Sequence, residues 1–211
     1  MARAALSSGF MTSLGIVREF LSEMSPVEGV AALLILVNVV LVALRSIWNY
    51  AFGIVGVAIY AVVFFHAKLY SDTLLQVFFL IVQVYGLWQW RRSQRDAGEV
   101  VVERLTNAAR LGWAAGIVLA ILGWGWLMHR FTDASFPWWD ASVAMISVAA
   151  QYLMSVRKLE NWWLWILANI VSIGLYAAKA LWITTGLYVL LLGISVVGLA
   201  RWRAARQGAA A

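Results

Sequence analysis

Five side chains recur at spacings of three and four along one apolar stretch: Trp162, Trp165, Asn169, Ser172 and Tyr176. In a helix that spacing puts them on one face. Indoles stack on a flat ring and attract one that carries positive charge. The Asn169 carboxamide both donates and accepts, so it can read the substituents of such a ring. This face offers recognition of a small aromatic molecule, without the groups that make or break bonds. Packing is the competing role: the tryptophans can anchor a helix at a membrane surface, and Asn169 can bond a neighbouring helix.

Other amides stand inside apolar runs, where each needs a partner. They are Asn38, Gln76, Gln83 and Gln151. Asn49 and Asn161 each follow a basic residue at the start of an apolar run, and their expected role is structural, although Asn49 stays among the ligand candidates. Tyr188 joins them as the counterpart of Gln76 in the internal repeat described below. The chemistry of catalysis is missing. All ten acidic residues lie at the ends of apolar runs or between them. His66 and His129 stand alone, and no His/carboxylate cluster has metal spacing. Gly123-x-Gly125 lacks the rest of a dinucleotide fingerprint, and no Gly-x-x-x-x-Gly-Lys-Ser/Thr loop occurs. No metal, no cofactor and no ATP engine are therefore expected. Asp140 and Glu160 are the carboxylates nearest the aromatic face, and they are expected at opposite ends of a span, which argues against an enzyme. The lack of a carboxylate deep in any run favours passive passage over proton coupling.

The elements that hold these residues follow from composition. The chain is 64% hydrophobic and 12% charged, too little polar surface to coat a soluble globule. Its net charge of +6 is accounted for by basic loops, so no nucleic-acid partner is expected. There is no cysteine. Apolar runs long enough to span a bilayer fall at about 28–44, 48–66, 73–90, 111–128, 140–156, 162–178 and 184–201, edged by Trp and Tyr. The fold class is an all-α membrane protein of seven transmembrane helices. Residues 9–22 read as a short amphipathic segment at the membrane surface. With seven spans the termini lie on opposite sides. Five basic residues gather with the N-terminus and eleven on the other side, so the N-terminus is expected outside and the C-terminus in the cytoplasm of a bacterial inner membrane.

A shift of 112 residues lays 28–90 on 140–202 without a gap. Matches such as Arg45/Arg157, Asn49/Asn161, Thr73/Thr185, Gly86/Gly198 and Trp90/Trp202 carry the most information, because apolar pairs match by chance more easily. Each repeat holds three spans, and the extra span at 111–128 restores the orientation of the second copy. The expected arrangement is a parallel 3+1+3 pair, one of the repeat types of transporters, with the ligand near the midplane between repeats. The organisation read here is an N-terminal segment 1–27, repeat one at 28–92, a cytoplasmic loop 93–110, a linker helix 111–130, repeat two at 140–203 and a tail 204–211. The scaffold repeats but its polar decoration does not: Asn169 falls on Val57, Gln151 on Val39, Asn38 on Ala150, Gln83 on Ser195 and Gln76 on Tyr188. An asymmetric organic ligand needs such a difference. Gly112-x-x-x-Gly116 in the linker span would support close packing in a homo-oligomer.

Several motifs now stand in order: Trp48-Asn49-Tyr50, Phe64-Phe65-His66-Ala67-Lys68-Leu69-Tyr70, Leu75-Gln76-Val77-Phe78-Phe79, Tyr85-Gly86-Leu87-Trp88-Gln89-Trp90, Phe136-Pro137-Trp138-Trp139-Asp140 and Arg157-Lys158-Leu159-Glu160-Asn161-Trp162. Together, over about 28–206, they resemble the PnuC family of bacterial vitamin transporters. The resemblance implies a full-length relative of the SWEET fold. It implies facilitated diffusion of a small-molecule vitamin across the lipid bilayer, nicotinamide riboside in the best-known members, trapped by a cytoplasmic vitamin kinase that feeds NAD synthesis. Thiamine is the alternative cargo, and riboflavin a rarer one. It also implies ligand contacts from Trp162, Trp165 and Asn169 of the sixth span and Gln83 of the third. One departure is Gly86-Leu87-Trp88, where the family commonly has Gly-Trp-Tyr, which moves aromatic bulk near one end of the third span.

Overall fold

Among the described residues the seven apolar runs become seven helices. The computed structural model describes residues 26–66, 70–133, 135–179 and 182–208. The helices are α1 (Pro26–Ala43), α2 (Asn49–His66), α3 (Tyr70–Ala97), α4 (Asn107–Phe131), α5 (Pro137–Ser155), α6 (Asn161–Ala178) and α7 (Trp182–Gly208). The shortest hold 18 residues, about 27 Å of helix, which matches a hydrocarbon core of roughly 30 Å. Among the described residues, five helices are long and apolar enough to cross a membrane by length and composition. α1 falls short on its count of described apolar residues. α5 opens with Asp140 and carries Gln151 and two internal serines. The expected surface segment at 9–22 lies outside the described residues.

Large apolar side chains stand on the outer faces, among them Leu74 at 70% and Leu111 at 73% exposure. Such a surface suits lipid. Consecutive helices pack as neighbours, except that α3 does not lead directly onto α4. Instead α3 packs on α5, and α1 packs on α7.

The repeat found in the sequence reappears in the hydrogen bonds. α1 and α5 both end in a left-handed residue, Arg45 at φ 57° and Arg157 at φ 59°. Each turn is closed by the same bonds: Ser46 N–H to Leu41 C=O at 2.9 Å, and Lys158 N–H to Leu153 C=O at 2.8 Å. This is the six-to-one closure of a helix end that normally calls for glycine. Asn49 Nδ2 donates to Ser46 C=O at 2.7 Å and Asn161 Nδ2 to Lys158 C=O at 2.6 Å, so the two asparagines make the same bond to the turn in each half. Trp90 Nε1 donates to Met154 C=O at 3.3 Å, and Trp202 Nε1 donates to Val42 C=O at 3.0 Å. Donors and acceptors in these two bonds are each related by the same shift of 112 residues, and each bond joins one half of the chain to the other.

Three boundaries differ most from the hydropathy reading. α3 runs on to Ala97 and α7 to Gly208, beyond the apolar limit. Arginines keep these turns soluble, Arg92 pairs with Asp96 one turn on at 3.6 Å, and α3 stops only at Gly98, whose φ of 75° breaks it. α4 begins earlier than expected because the Thr106 hydroxyl caps it, accepting from Ala109 N–H at 3.2 Å. The connection expected at 93–110 therefore shrinks to 98–106.

Candidate functional site

An aromatic quartet fills the bundle at its basic end. Tyr50 meets Trp90 edge-on at 5.3 Å, Trp162 meets Trp202 edge-on at 5.6 Å, and Trp90 lies 5.8 Å from Trp202. Tyr50 and Trp162 occupy equivalent positions in the repeat, and each rests on an equivalent glycine. A Cβ on Gly86 would sit 2.5 Å from the Tyr50 hydroxyl; one on Gly198 would sit 2.4 Å from the Trp162 ring. That explains why glycine recurs there. Trp162 is thus 1% exposed and engaged by Trp202 and Gly198, while its Nε1 and the Tyr50 hydroxyl have no hydrogen-bond partner. Trp165 is partly buried and packs against the same cluster.

The amides gather one level deeper. Asn38 on α1 and Gln83 on α3 converge over Gly53 of α2. A Cβ at residue 53 would lie 2.5 Å from Asn38 Nδ2 and 2.2 Å from Gln83 Oε1. Asn38 Nδ2 donates to the Asn49 carbonyl at 2.8 Å. Gln83 is 3% exposed, and its Oε1 has no partner. A buried acceptor left unpaired costs about 1–3 kcal/mol, so the site carries an unused bond.

The second half holds a different cluster. Asn169 Nδ2 on α6 donates to Ser195 Oγ on α7 at 3.1 Å, and Ser195 Oγ donates to Leu191 C=O. One turn on from Asn169, Ser172 is fully buried. Tyr176 and Tyr188 stack at 5.1 Å between ring centres. Gln151 is buried on α5, and Gln76 is half-buried on α3. The residues expected to share one midplane site are therefore not all brought together: Asn38, Asn49 and Gln83 gather around Gly53, Asn169, Ser172 and Tyr188 lie with Tyr176 and Ser195, Trp162 and Trp165 join the aromatic cluster, and Gln151 and Gln76 stand apart from these groups.

Two contributors were missed in the sequence. Ser195 was visible only as the counterpart of Gln83, yet it is the partner of Asn169. Gly53 is the counterpart of Trp165: where one half seats an indole, the other leaves room for two amide heads. Gly125, dismissed as a nucleotide signal, receives the Trp138 ring, with a Cβ there 2.4 Å from it. The carboxylates obey the expected separation. Asp140 pairs with Lys179 at 3.1 Å at one end of the bundle, and Glu160 pairs with Arg110 at 2.7 Å at the other. Among the described residues no cluster of His, Cys, Asp and Glu could hold a metal ion.

Two apolar grooves open on the flanks. One of about 600 Å³ lies between α4 and α5, bordered by Gly112, Gly116, Val148 and Tyr152. The other, about 450 Å³, lies between α1 and α7, bordered by Val40, Leu44, Leu190 and Arg201. The Gly112-x-x-x-Gly116 face thus borders the first groove. Neither groove reaches the amide clusters.

The nicotinamide mononucleotide transporter family matches residues 25–204. The nicotinamide riboside transporter PnuC of Escherichia coli (strain K12) is 28% identical over 205 residues, covering 85% of this chain and 86% of that protein. The nicotinamide riboside transporter PnuC of Neisseria mucosa is 32% identical over 191 residues, covering 82% and 70%. A crystal structure of the vitamin B3 transporter PnuC superposes with a TM-score of 0.71 at 29% identity, covering 97% of this chain and 91% of the other.

Proposed function

The chain belongs to the nicotinamide mononucleotide transporter family and is a multi-pass membrane transporter of a small vitamin, not an enzyme; from that premise we propose that it is a uniporter carrying nicotinamide riboside into the cytoplasm. One observation carries this reading. Among the described residues the buried polar side chains are all uncharged, the amides Asn38, Asn49, Gln83, Gln151, Asn161 and Asn169 and the hydroxyls of Ser93, Ser155, Ser172 and Ser195, and the ionised side chains sit at the bundle ends.

That chemistry discriminates between cargoes. A mononucleotide brings a phosphate that needs a cation or a nest of N–H donors inside the bundle. A nucleoside brings a ribose and a carboxamide, which bond to neutral amides and hydroxyls, and a pyridinium ring, which aromatic faces attract. The interior suits the second. The relatives named for nicotinamide riboside favour the same cargo.

The direction follows from charge. The basic end, with Arg45, Arg91, Arg92, Arg157 and Arg201, is the cytoplasmic one in an inner membrane. The two halves are parallel three-helix units joined by α4, and they rock so that the site faces one side at a time. Without a carboxylate or histidine deep among the described spans to carry a proton, cargo flows down its gradient, and net uptake depends on phosphorylation of the nucleoside inside the cell. Cargo binding drives rocking only through its unequal affinity for the two conformations.

Calorimetry on purified protein with nicotinamide riboside, nicotinamide mononucleotide, thiamine and riboflavin tests the assignment. Saturable binding of the riboside alone is expected. Preference for thiamine would replace the cargo and keep the carrier; preference for the mononucleotide would overturn the charge argument. Asn169→Leu should abolish uptake while the protein still folds, and undiminished uptake would make Asn169 a packing residue.

A further inference from the structure

Residues 98–106 connect α3 to α4, yet they are not a slack loop. They cross the basic end of the bundle as an extended strap. Val100 and Val102 point into the core, at 3% and 6% exposure, and join the cluster of Trp90, Trp162 and Trp202. Burial of two valines from a connection covers the end of the aromatic plug with apolar side chains.

Both halves of the molecule grip the strap, and each uses its left-handed arginine. Arg45 Nη1 donates to Glu99 at 3.1 Å and to Val100 C=O at 3.2 Å. Arg157 Nε donates to Val101 C=O at 3.2 Å, and Nη2 donates to Glu103 at 3.1 Å. Glu103 also pairs with Lys158. Its backbone bridges the turn after α5: Glu103 N–H donates to Arg157 C=O at 3.0 Å, and Leu159 N–H donates to Glu103 C=O at 2.8 Å. Ser93 Oγ ties the strap to α3 by donating to Glu99 C=O and accepting from Val101 N–H. A non-glycine residue in the left-handed region is strained, and the surroundings must hold it there. Here the side chains of both strained residues end on the same strap.

A connection held by both halves at one end opposes their separation there. We propose that residues 98–106 are the cytoplasmic gate of the transport path, with Glu103 as its latch to the second half and Arg45 as its clamp to the first. The proposal rests on the carrier reading. In the present conformation the gate is shut. Release of cargo to the cytoplasm requires Glu103 to leave Arg157 and Lys158, and Val100 and Val102 to lift from the aromatic plug.

The chain has no cysteine, so two introduced thiols report cleanly. Glu103 and Lys158 face each other in a parallel bridge, a pairing whose spacing a disulfide can span. In proteoliposomes, E103C/K158C should take up radiolabelled nicotinamide riboside when reduced, lose uptake about tenfold or more when oxidised, and recover with reductant. Binding of the riboside in calorimetry should survive oxidation. Complete cross-linking with unchanged uptake would overturn the gate. Absence of riboside binding in the unmodified protein would instead overturn the cargo assignment. A second measurement needs no cargo, and it decides the case if the reduced pair is inactive. Val102→Cys should react with a maleimide at least about tenfold more slowly than Arg95→Cys, at an exposed position, and adding Glu103→Gln should speed it about tenfold, the change expected from losing a charge-assisted hydrogen bond. Equal rates at residues 95 and 102 would mean that the strap is not shut, and would overturn the proposal.

Discussion

Gly53→Ala and Gly198→Ala are the same chemical change on two helices, and the structure assigns them opposite consequences. At Gly198 the new Cβ would lie 2.4–2.6 Å from three carbons of the Trp162 ring. That ring is rigid, buried and already engaged by Trp202. It cannot retreat, so overpacking of about 1–3 kcal/mol is expected. For a chain of this size that lowers the melting temperature by roughly 3–9 °C. At Gly53 the Cβ would lie 2.2 Å from Gln83 Oε1 and 2.5 Å from Asn38 Nδ2. Both are the free ends of flexible side chains, which swing aside. The Asn38 bond to Asn49 C=O is lost, at about 0.5–1.5 kcal/mol. Alanine returns a similar amount through its helix propensity, about 0.5–1 kcal/mol over glycine. The melting temperature should thus move by less than about 3 °C. Binding should not escape so lightly. Two displaced amides forfeit about 1–3 kcal/mol of ligand hydrogen bonding, a loss of roughly 5- to 150-fold in affinity. Thermal unfolding in detergent and calorimetry with nicotinamide riboside measure both quantities on the same preparations. Gly193→Ala, with open space around its Cβ, is the control. If Gly53→Ala melts as early as Gly198→Ala while binding is unaltered, the amides over Gly53 are packing and the site lies elsewhere.

Trp90→Phe and Trp202→Phe each leave one buried carbonyl, Met154 or Val42, without its indole donor; each should cost about 1–3 kcal/mol, and a neutral result at either would break the equivalence of the two halves. The Glu103 carboxyl is held below its usual range, chiefly by its hydrogen bond from Lys158 and also by Arg157, against a smaller opposing effect of burial. A lowered carboxylate contributes above the ordinary value of 4.5 and is lost as pH falls through the depressed one. Labelling of Val102→Cys should therefore be flat across neutral pH after correction for thiol ionisation, and should rise only in acid below the ordinary carboxylate range; a rise near pH 7 would assign the latch to another group.

The helices were legible because hydrocarbon imposes a length and a composition on whatever crosses it. The repeat was legible because Arg45/Arg157, Asn49/Asn161, Gly86/Gly198 and Trp90/Trp202 perform the same physical tasks twice, and the structure now names each task. The strap was not legible. Val100, Val101 and Val102 look like any short apolar run between charged residues, and their burial depends on where Arg45 and Arg157 point after two left-handed turns. The packing of Trp162 was not legible for a related reason. Its spacing shares a face with Trp165 and Asn169, but a helical face near the end of a bundle meets the packing core as well as the interior. Only the glycine at 198, one helix away, tells which neighbour takes the ring.

On the proposed reading, function concentrates at the departures from the repeat. A carrier that rocks two halves gains from making the joint between them alike on both sides, and the matched tryptophan bonds do this at the basic end, each half donating one indole to the other. A ligand such as a nucleoside has no such symmetry: its ring wants an aromatic face and its sugar wants amides. The same backbone positions serve both demands through different side chains. Position 53 is glycine and its counterpart 165 is tryptophan; position 83 is glutamine and its counterpart 195 is serine; position 57 is valine and its counterpart 169 is asparagine. Each exchange swaps an apolar or small group for a polar or aromatic one at constant backbone geometry. The amide of Gln83 thereby stands in the first half, and the indole of Trp165, the hydroxyl of Ser195 and the amide of Asn169 stand in the second. An asymmetric cargo seated between halves built in this way has one preferred orientation, and the strap between α3 and α4 gives the proposed pathway one distinctive end.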